Sequence, residues 1–118
     1  MSRQLIANEE FPQKPHNCPA VKVPGLIFCS GQVGKGEIKQ ATTTAITNLG
    51  KVLELAGSSL DRVVKFNIYL ADMNDFKVMN EAFVAALPPN PPARTCIQAG
   101  RLPGGPTAVV EIECIAQV

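Results

Sequence analysis

The sequence predicts an α+β domain, a mixed β-sheet with two helices packed on one of its faces. Three observations carry that reading. Segments near the middle and at the end of the chain alternate apolar and polar residues at a period of two. Two other segments repeat apolar residues at helical spacing. The prolines gather between these segments. Pro12, Pro15, Pro19 and Pro24 stiffen the N-terminal part, Pro88, Pro89, Pro91 and Pro92 form a connector, and Leu102-Pro103-Gly104-Gly105-Pro106 forms a turn.

Taken in order, residues 4–7 make a short first strand. Leu26-Ile27-Phe28-Cys29-Ser30 is an apolar run that reads as a strand broken at Gly31. Over residues 39–56, Ala45, Leu49, Val52, Leu53 and Ala56 fall on one helical face, and Gly57 is placed to stop the helix. Residues 63–70 alternate as a strand with Val64, Phe66, Ile68 and Leu70 on one side. Asn74 is the expected cap of a second helix that buries Phe76, Met79, Phe83 and Leu87. Strands at 93–99 and 107–118 follow. In the last of them Val110, Ile112, Cys114 and Ala116 point one way, and Val109 and Ile115 point the other, beside Glu111 and Glu113. Two helices cover one face only, so the second apolar face needs another cover, and self-association is the economical one.

At 118 residues the chain fits a single domain, residues 1–118. No apolar run approaches the roughly 20 residues of a membrane span. With 11 Lys+Arg against 10 Asp+Glu the formal charge is +1, which gives no electrostatic reason for tight nucleic-acid binding. Cys18, Cys29, Cys96 and Cys114 are too scattered for a zinc site or a disulfide framework, and residues 1–17 match neither a secretory signal nor an Arg-rich transit peptide. The expectation is a soluble, reduced, cytoplasmic protein.

Few residues are candidates for chemistry. Arg94 lies between the proline connector and an apolar strand, where its planar fork suits a carboxylate of the protein or of a ligand. Glu111 and Glu113 share one strand face. If the last two strands close as a hairpin around Leu102 and Pro103, Arg94 lies nearly opposite Glu111, with Cys96 on Arg94's side. Two readings then stand: a cross-strand salt bridge, or a pocket in which a cation clamps an acid and a carboxylate handles protons. Ser30-Gly31-Gln32 ends its strand either as a plain turn or as a hydroxyl and N–H groups offered to a ligand. His16 reads as an exposed loop residue, and no nucleophile elbow or nucleotide-binding glycine pattern occurs.

Pro92-Ala93-Arg94-Thr95-Cys96, Arg101-Leu102-Pro103 and Val110-Glu111-Ile112-Glu113-Cys114-Ile115-Ala116 together resemble the C-terminal signature of the RidA (YjgF/YER057c/UK114) family of reactive-intermediate deaminases. The likeness extends to residues 26–33, 58–65 and 69–76, and so runs through nearly the whole chain; the 58–75 stretch looks most like fungal members. It implies a chorismate-mutase-like subunit and a homotrimer whose sheets form a central barrel, with ligand clefts between subunits. It also implies hydrolysis of 2-iminobutanoate and 2-iminopropanoate to 2-oxo acids and ammonia with no metal or organic cofactor. By the match, Arg94 holds the substrate carboxylate and Glu111 activates water. Ser30, Gly31, Asn80, Phe83 and the Cys96 backbone line the cleft. Where many deaminating members carry a tyrosine, this chain has Asn17 within Pro15-His16-Asn17-Cys18-Pro19, which hydrogen-bonds but closes no apolar lid. The resemblance therefore leaves a non-catalytic binding trimer as the alternative. A ribonuclease is disfavoured by the charge and by the single histidine.

Overall fold

A computed structural model describes residues 3–118. Strands β1 (Gln4–Ile6), β2 (Ala20–Val23) and β3 (Leu26–Lys35) are followed by helix α1 (Ile38–Leu55), β4 (Val63–Leu70), helix α2 (Phe76–Ala86), β5 (Ala93–Gln98) and β6 (Ala108–Gln117). They form a six-stranded sheet in the order β1-β2-β3-β6-β4-β5. Every pairing is antiparallel except β4 with β5, which is parallel. Both helices lie on one face, as the apolar periodicities require.

Local signals account for the helix ends. The Glu37 side chain accepts from the N–H groups of Lys39 and Gln40 at 2.8 and 3.0 Å, capping α1. At the other end Gly57, at φ +85°, turns the chain, and Gly57 and Ser58 donate back to the carbonyls of Glu54 and Leu53. Lys22 adds its ammonium to the Ala56 carbonyl at 2.9 Å. The second helix starts differently from expectation. Asn74 lies in a single 3₁₀ turn, Met73–Asp75, where its N–H is held by the Asp72 side chain, and Asp75 precedes α2.

The core lies between the helices and the inward side of the sheet. Ala45, Leu49, Val52 and Leu53 of α1 and Met79 and Phe83 of α2 meet Ile27, Phe66, Ile68, Leu70, Val110, Ile112 and Ala116, all buried. Helix and sheet approach closely at one point. A Cβ on Gly34 would lie 2.6 Å from the Ala41 carbonyl carbon of α1, so only glycine fits there. On the opposite side of the sheet Phe28 and Ile97 are exposed, and Val109, Ile115 and Tyr69 are half-buried; no helix covers them.

Three details depart from the sequence reading. Strand β2 has only four residues between Pro19 and Pro24, too short to show a period, and it is held by pairing on both sides. Strand β3 does not end at Gly31. It bulges there, because Ser30 and Gly31 together oppose Glu113, and then continues to Lys35. In β4 the register slips between Val63 and Lys65, which buries Val63 and exposes Val64. A single extra residue reverses the side to which a strand residue points.

Candidate functional site

Arg94 stands on the edge strand β5, level with Phe66 of β4, and points to the helix-covered face. There its guanidinium carbon lies 5.1 Å from the ring centre of Phe83 and 5.7 Å from that of Phe76. Phe83 is itself fixed edge-to-face on Phe66, with centroids 5.1 Å apart and planes at 81°. Among the described residues no carboxylate lies within ion-pair distance of Arg94. Asn80, between the two rings on the same side of α2, has a buried Oδ1 with no hydrogen-bond partner. Cys96, two residues along β5, shares Arg94's side. Burial pushes its thiol up while the neighbouring guanidinium pulls the other way, so the sulfur stays protonated near neutral pH.

Glu111 belongs to the other face. It lies on β6 between Val33 of β3 and Tyr69 of β4. Its carboxylate sits over the bulge: a Cβ on Gly31 would fall 2.8 Å from both Cγ and Cδ of Glu111, so the glycine makes room for it. Glu113 on the same side accepts from Asn67 Nδ2 at 3.1 Å and from the Tyr69 hydroxyl at 3.3 Å. Burial, reinforced by the charge of Glu113, raises the Glu111 carboxyl above the usual carboxylate range. One carboxylate is held by donors and its neighbour is pushed toward holding a proton.

Beside the bulge lies a hollow of about 370 Å³ lined by Lys14, Asn17, Ser30, Gly31, Gln32 and Asn48, among others. Ser30 ties its wall together, donating its hydroxyl to the Cys18 carbonyl at 2.7 Å and its N–H to the Pro19 carbonyl at 2.9 Å. Asn17, Ser30 and Gly31 thus share a cavity, whereas Arg94, Asn80, Phe83 and Cys96 do not line it.

The expected hairpin is therefore incorrect. Strand β5 does not pair with β6; β4 lies between them, and Arg94 and Glu111 face opposite sides of the sheet. A connection through the Leu102–Pro106 turn suggested antiparallel neighbours, but β4 takes the place beside β6 with a longer run of pairing. Residues that sequence reasoning left out of the site also emerge. Phe76, expected to be buried, is exposed; its spacing of seven from Phe83 puts both rings on one side of α2, where both reach Arg94. Lys14, Gln32 and Asn48 come together only through the fold. His16 is exposed, as expected. Cys29 and Cys114 are buried cross-strand neighbours with free thiols, and the Cys114 thiol is raised by its hydrogen bond with Cys29 and by burial.

A family model described as endoribonuclease L-PSP matches residues 8–118. The chain is 47% identical over 110 residues to "Protein mmf2, mitochondrial" of Schizosaccharomyces pombe, covering 86% of each chain. It is 32% identical over 127 residues to "Reactive Intermediate Deaminase A, chloroplastic" of Arabidopsis thaliana, covering 98% of this chain and 66% of that protein. The crystal structure of RidA from an Antarctic Psychrobacter superposes with a TM-score of 0.89 at 37% identity, over 98% of this chain and 99% of that one. The matched length, the identities and the superposition agree with one assignment: the chain belongs to the endoribonuclease L-PSP family, the RidA/YjgF/UK114 proteins.

Proposed function

We propose that the chain hydrolyses 2-imino acids and their enamine forms, 2-iminobutanoate and 2-iminopropanoate among them, to 2-oxo acids and ammonia without a cofactor. The observation that carries this reading is the guanidinium of Arg94, held by two aromatic rings and left without a carboxylate among the described residues. A cation so placed is set to receive a small organic acid. Because Arg94 and Glu111 face opposite sides of one sheet, the site is completed by a second copy. Arg94, Asn80, Phe83 and the Cys96 backbone of one copy meet Asn17, Ser30, Gly31 and Glu111 of another. A homotrimer burying the uncovered sheet face provides that arrangement.

In this mechanism Arg94 fixes the substrate carboxylate through two parallel N–H bonds and leaves the imine carbon open. Glu111, its carboxyl raised by burial, takes a proton from a water as the water oxygen bonds to that carbon. The C=N pair moves to nitrogen, which takes that proton from Glu111 to give a neutral tetrahedral aminoalcohol. Glu111 then accepts the proton of the new hydroxyl and delivers it to nitrogen, so the C–N bond breaks and ammonia leaves as the carbonyl forms. One water is consumed, and no electron is gained or lost. Orientation and one proton-handling group suffice for a substrate already prone to hydrolysis.

Asn17 supports a second reading, a binding trimer without catalysis, because an asparagine at that position closes no apolar lid over the cleft. RNA cleavage rests only on names, those of the family model and of similar structures named for an endoribonuclease. Among the described residues no helix is long and apolar enough to cross a membrane. We place the protein in the cytoplasm, and the mitochondrial names of the fission-yeast relatives add a mitochondrial pool to that proposal. A coupled assay with threonine dehydratase tests the activity. The expected result is faster appearance of 2-oxobutanoate, returned to the buffer rate by Arg94→Ala in a variant that still assembles. Unchanged turnover in Arg94→Ala overturns the clamp, and no acceleration by the native protein favours the binding trimer.

A further inference from the structure

The hollow beside the bulge carries the side-chain donors of Lys14, Asn17, Gln32 and Asn48, next to Phe11, Pro12 and Pro19. Lys14 and Asn17 end a two-residue turn and are locked to each other by Lys14 N–H to the Asn17 carbonyl at 2.8 Å and Asn17 N–H to the Lys14 carbonyl at 3.3 Å. Residues paired in this way as an antiparallel bridge put their side chains on the same side, and both residues line the hollow together with Gln32 and Asn48. Glu10 also borders the hollow, but its carboxylate is taken by Lys51 at 3.0 Å. Lys14 has no carboxylate within ion-pair distance among the described residues. A second cavity of about 230 Å³ shares Lys14 and Asn17 and adds Arg3 and His16, so both sides of the turn carry basic groups.

We propose that the Lys14–Asn17 turn is a second anion seat, and that the preferred substrates are imines of acidic amino acids rather than of alkyl ones. The inference rests on the imine-hydrolysis reading above. With the α-carboxylate on Arg94 of one copy, the substrate side chain is directed to the hollow of the other. An alkyl group there would contact only Phe11, Pro12 and Pro19 while stripping water from an ammonium and three side-chain amides, whose hydrogen bonds it cannot replace. A side-chain carboxylate satisfies them, and a site built to hydrogen-bond its substrate discriminates strongly against one that lacks the partner. The ammonium selects a carboxylate over a carboxamide, which the amides alone would not. The reaction is unchanged: one water enters at the imine carbon and ammonia leaves.

Imines generated in situ from alanine, asparagine and aspartate by amino-acid oxidases, with residual imine trapped by semicarbazide, give kcat/KM for each. The expected order is aspartate-derived above asparagine-derived above alanine-derived, with about tenfold between the first and last, the size of a modest charge-assisted contact. Lys14→Gln, which keeps a donor and removes the charge, should lower the ratio of aspartate- to alanine-derived turnover by about the same factor. Alanine-derived turnover equal to or above aspartate-derived, or a ratio unmoved by Lys14→Gln, overturns the seat while leaving the deaminase reading intact. If no imine is turned over, the deaminase reading fails, and calorimetry with oxaloacetate and pyruvate decides the seat alone. Tighter oxaloacetate binding that weakens in Lys14→Gln upholds it, and equal binding overturns it.

Discussion

Arg94 and Glu111 are prepared in opposite ways. The arginine is on an edge strand and is steadied by two rings of α2, one of them anchored in the core. The glutamate is on a central strand of the uncovered face, steadied by little more than a missing side chain at Gly31, and beside a second carboxylate. The first arrangement preserves a charge: flat aromatic faces attract a guanidinium and supply no counter-ion to neutralise it. The second makes a charge conditional, since burial and a like neighbour favour the protonated form. A group that binds an acid benefits from the former, and a group that passes a proton benefits from the latter. Their separation across one sheet is the feature to attack.

The largest effect is expected from mixing variants. Arg94→Ala and Glu111→Gln should each cut turnover by about 10³-fold when all copies carry the change, the upper range for a clamp or a general base. Co-expression of the two in one cell should recover a measurable fraction of native turnover, because some sites then combine an intact arginine with an intact glutamate. No recovery in verified mixed oligomers would place both groups in one copy's site and contradict their opposite faces.

Next in size is a pair of glycines three residues apart on β3. Gly31→Ala places a methyl against the end of the Glu111 side chain, which can swing aside, so the fold should stay within about 1 kcal/mol of native. Turnover should fall by about 100-fold through displacement of the carboxylate. Gly34→Ala sets its methyl against the backbone of α1, which cannot swing aside, and should cost about 3 kcal/mol. Chemical denaturation beside steady-state kinetics checks both. Equal stability losses at the two positions would remove the distinction between the active bulge and the structural contact.

The two glycines also mark how far the sequence could be read. Periodicity located α1, α2 and β4 to β6, because burial on one side imposes a repeat that a single chain displays. It also exposed the second apolar face through Val109 and Ile115. It could not show that Gly31 belongs to a bulge, since Ser-Gly reads equally as a strand end, or that β4 would insert between β5 and β6. Strand order depends on competition among pairings distant in sequence. Arg94 and Glu111 were legible as chemistry, but their opposite faces followed from that order and were not. Lys14 and Asn48 carry no local signal, and Gln32 carries only that of the Ser-Gly break beside it, because three separate segments bring them to one hollow.

The smallest effect tests the electrostatics of the conditional charge. Glu113→Gln keeps an oxygen to accept from Asn67 and Tyr69 and removes the charge that helps raise Glu111. Burial is the larger cause and remains, so the Glu111 carboxyl should move down toward its ordinary value without reaching it. A base acts once deprotonated, so the rise of kcat/KM with pH should shift to lower pH. The stability effect has its own sign. A carboxyl raised by folding stabilises below its unfolded value, and that contribution is lost as pH rises through the folded value. Glu113→Gln should therefore flatten the fall in melting temperature across that window as well. A kinetic limb that stays in place, or moves to higher pH, would mean that Glu111 is not the group whose ionisation turns the reaction on.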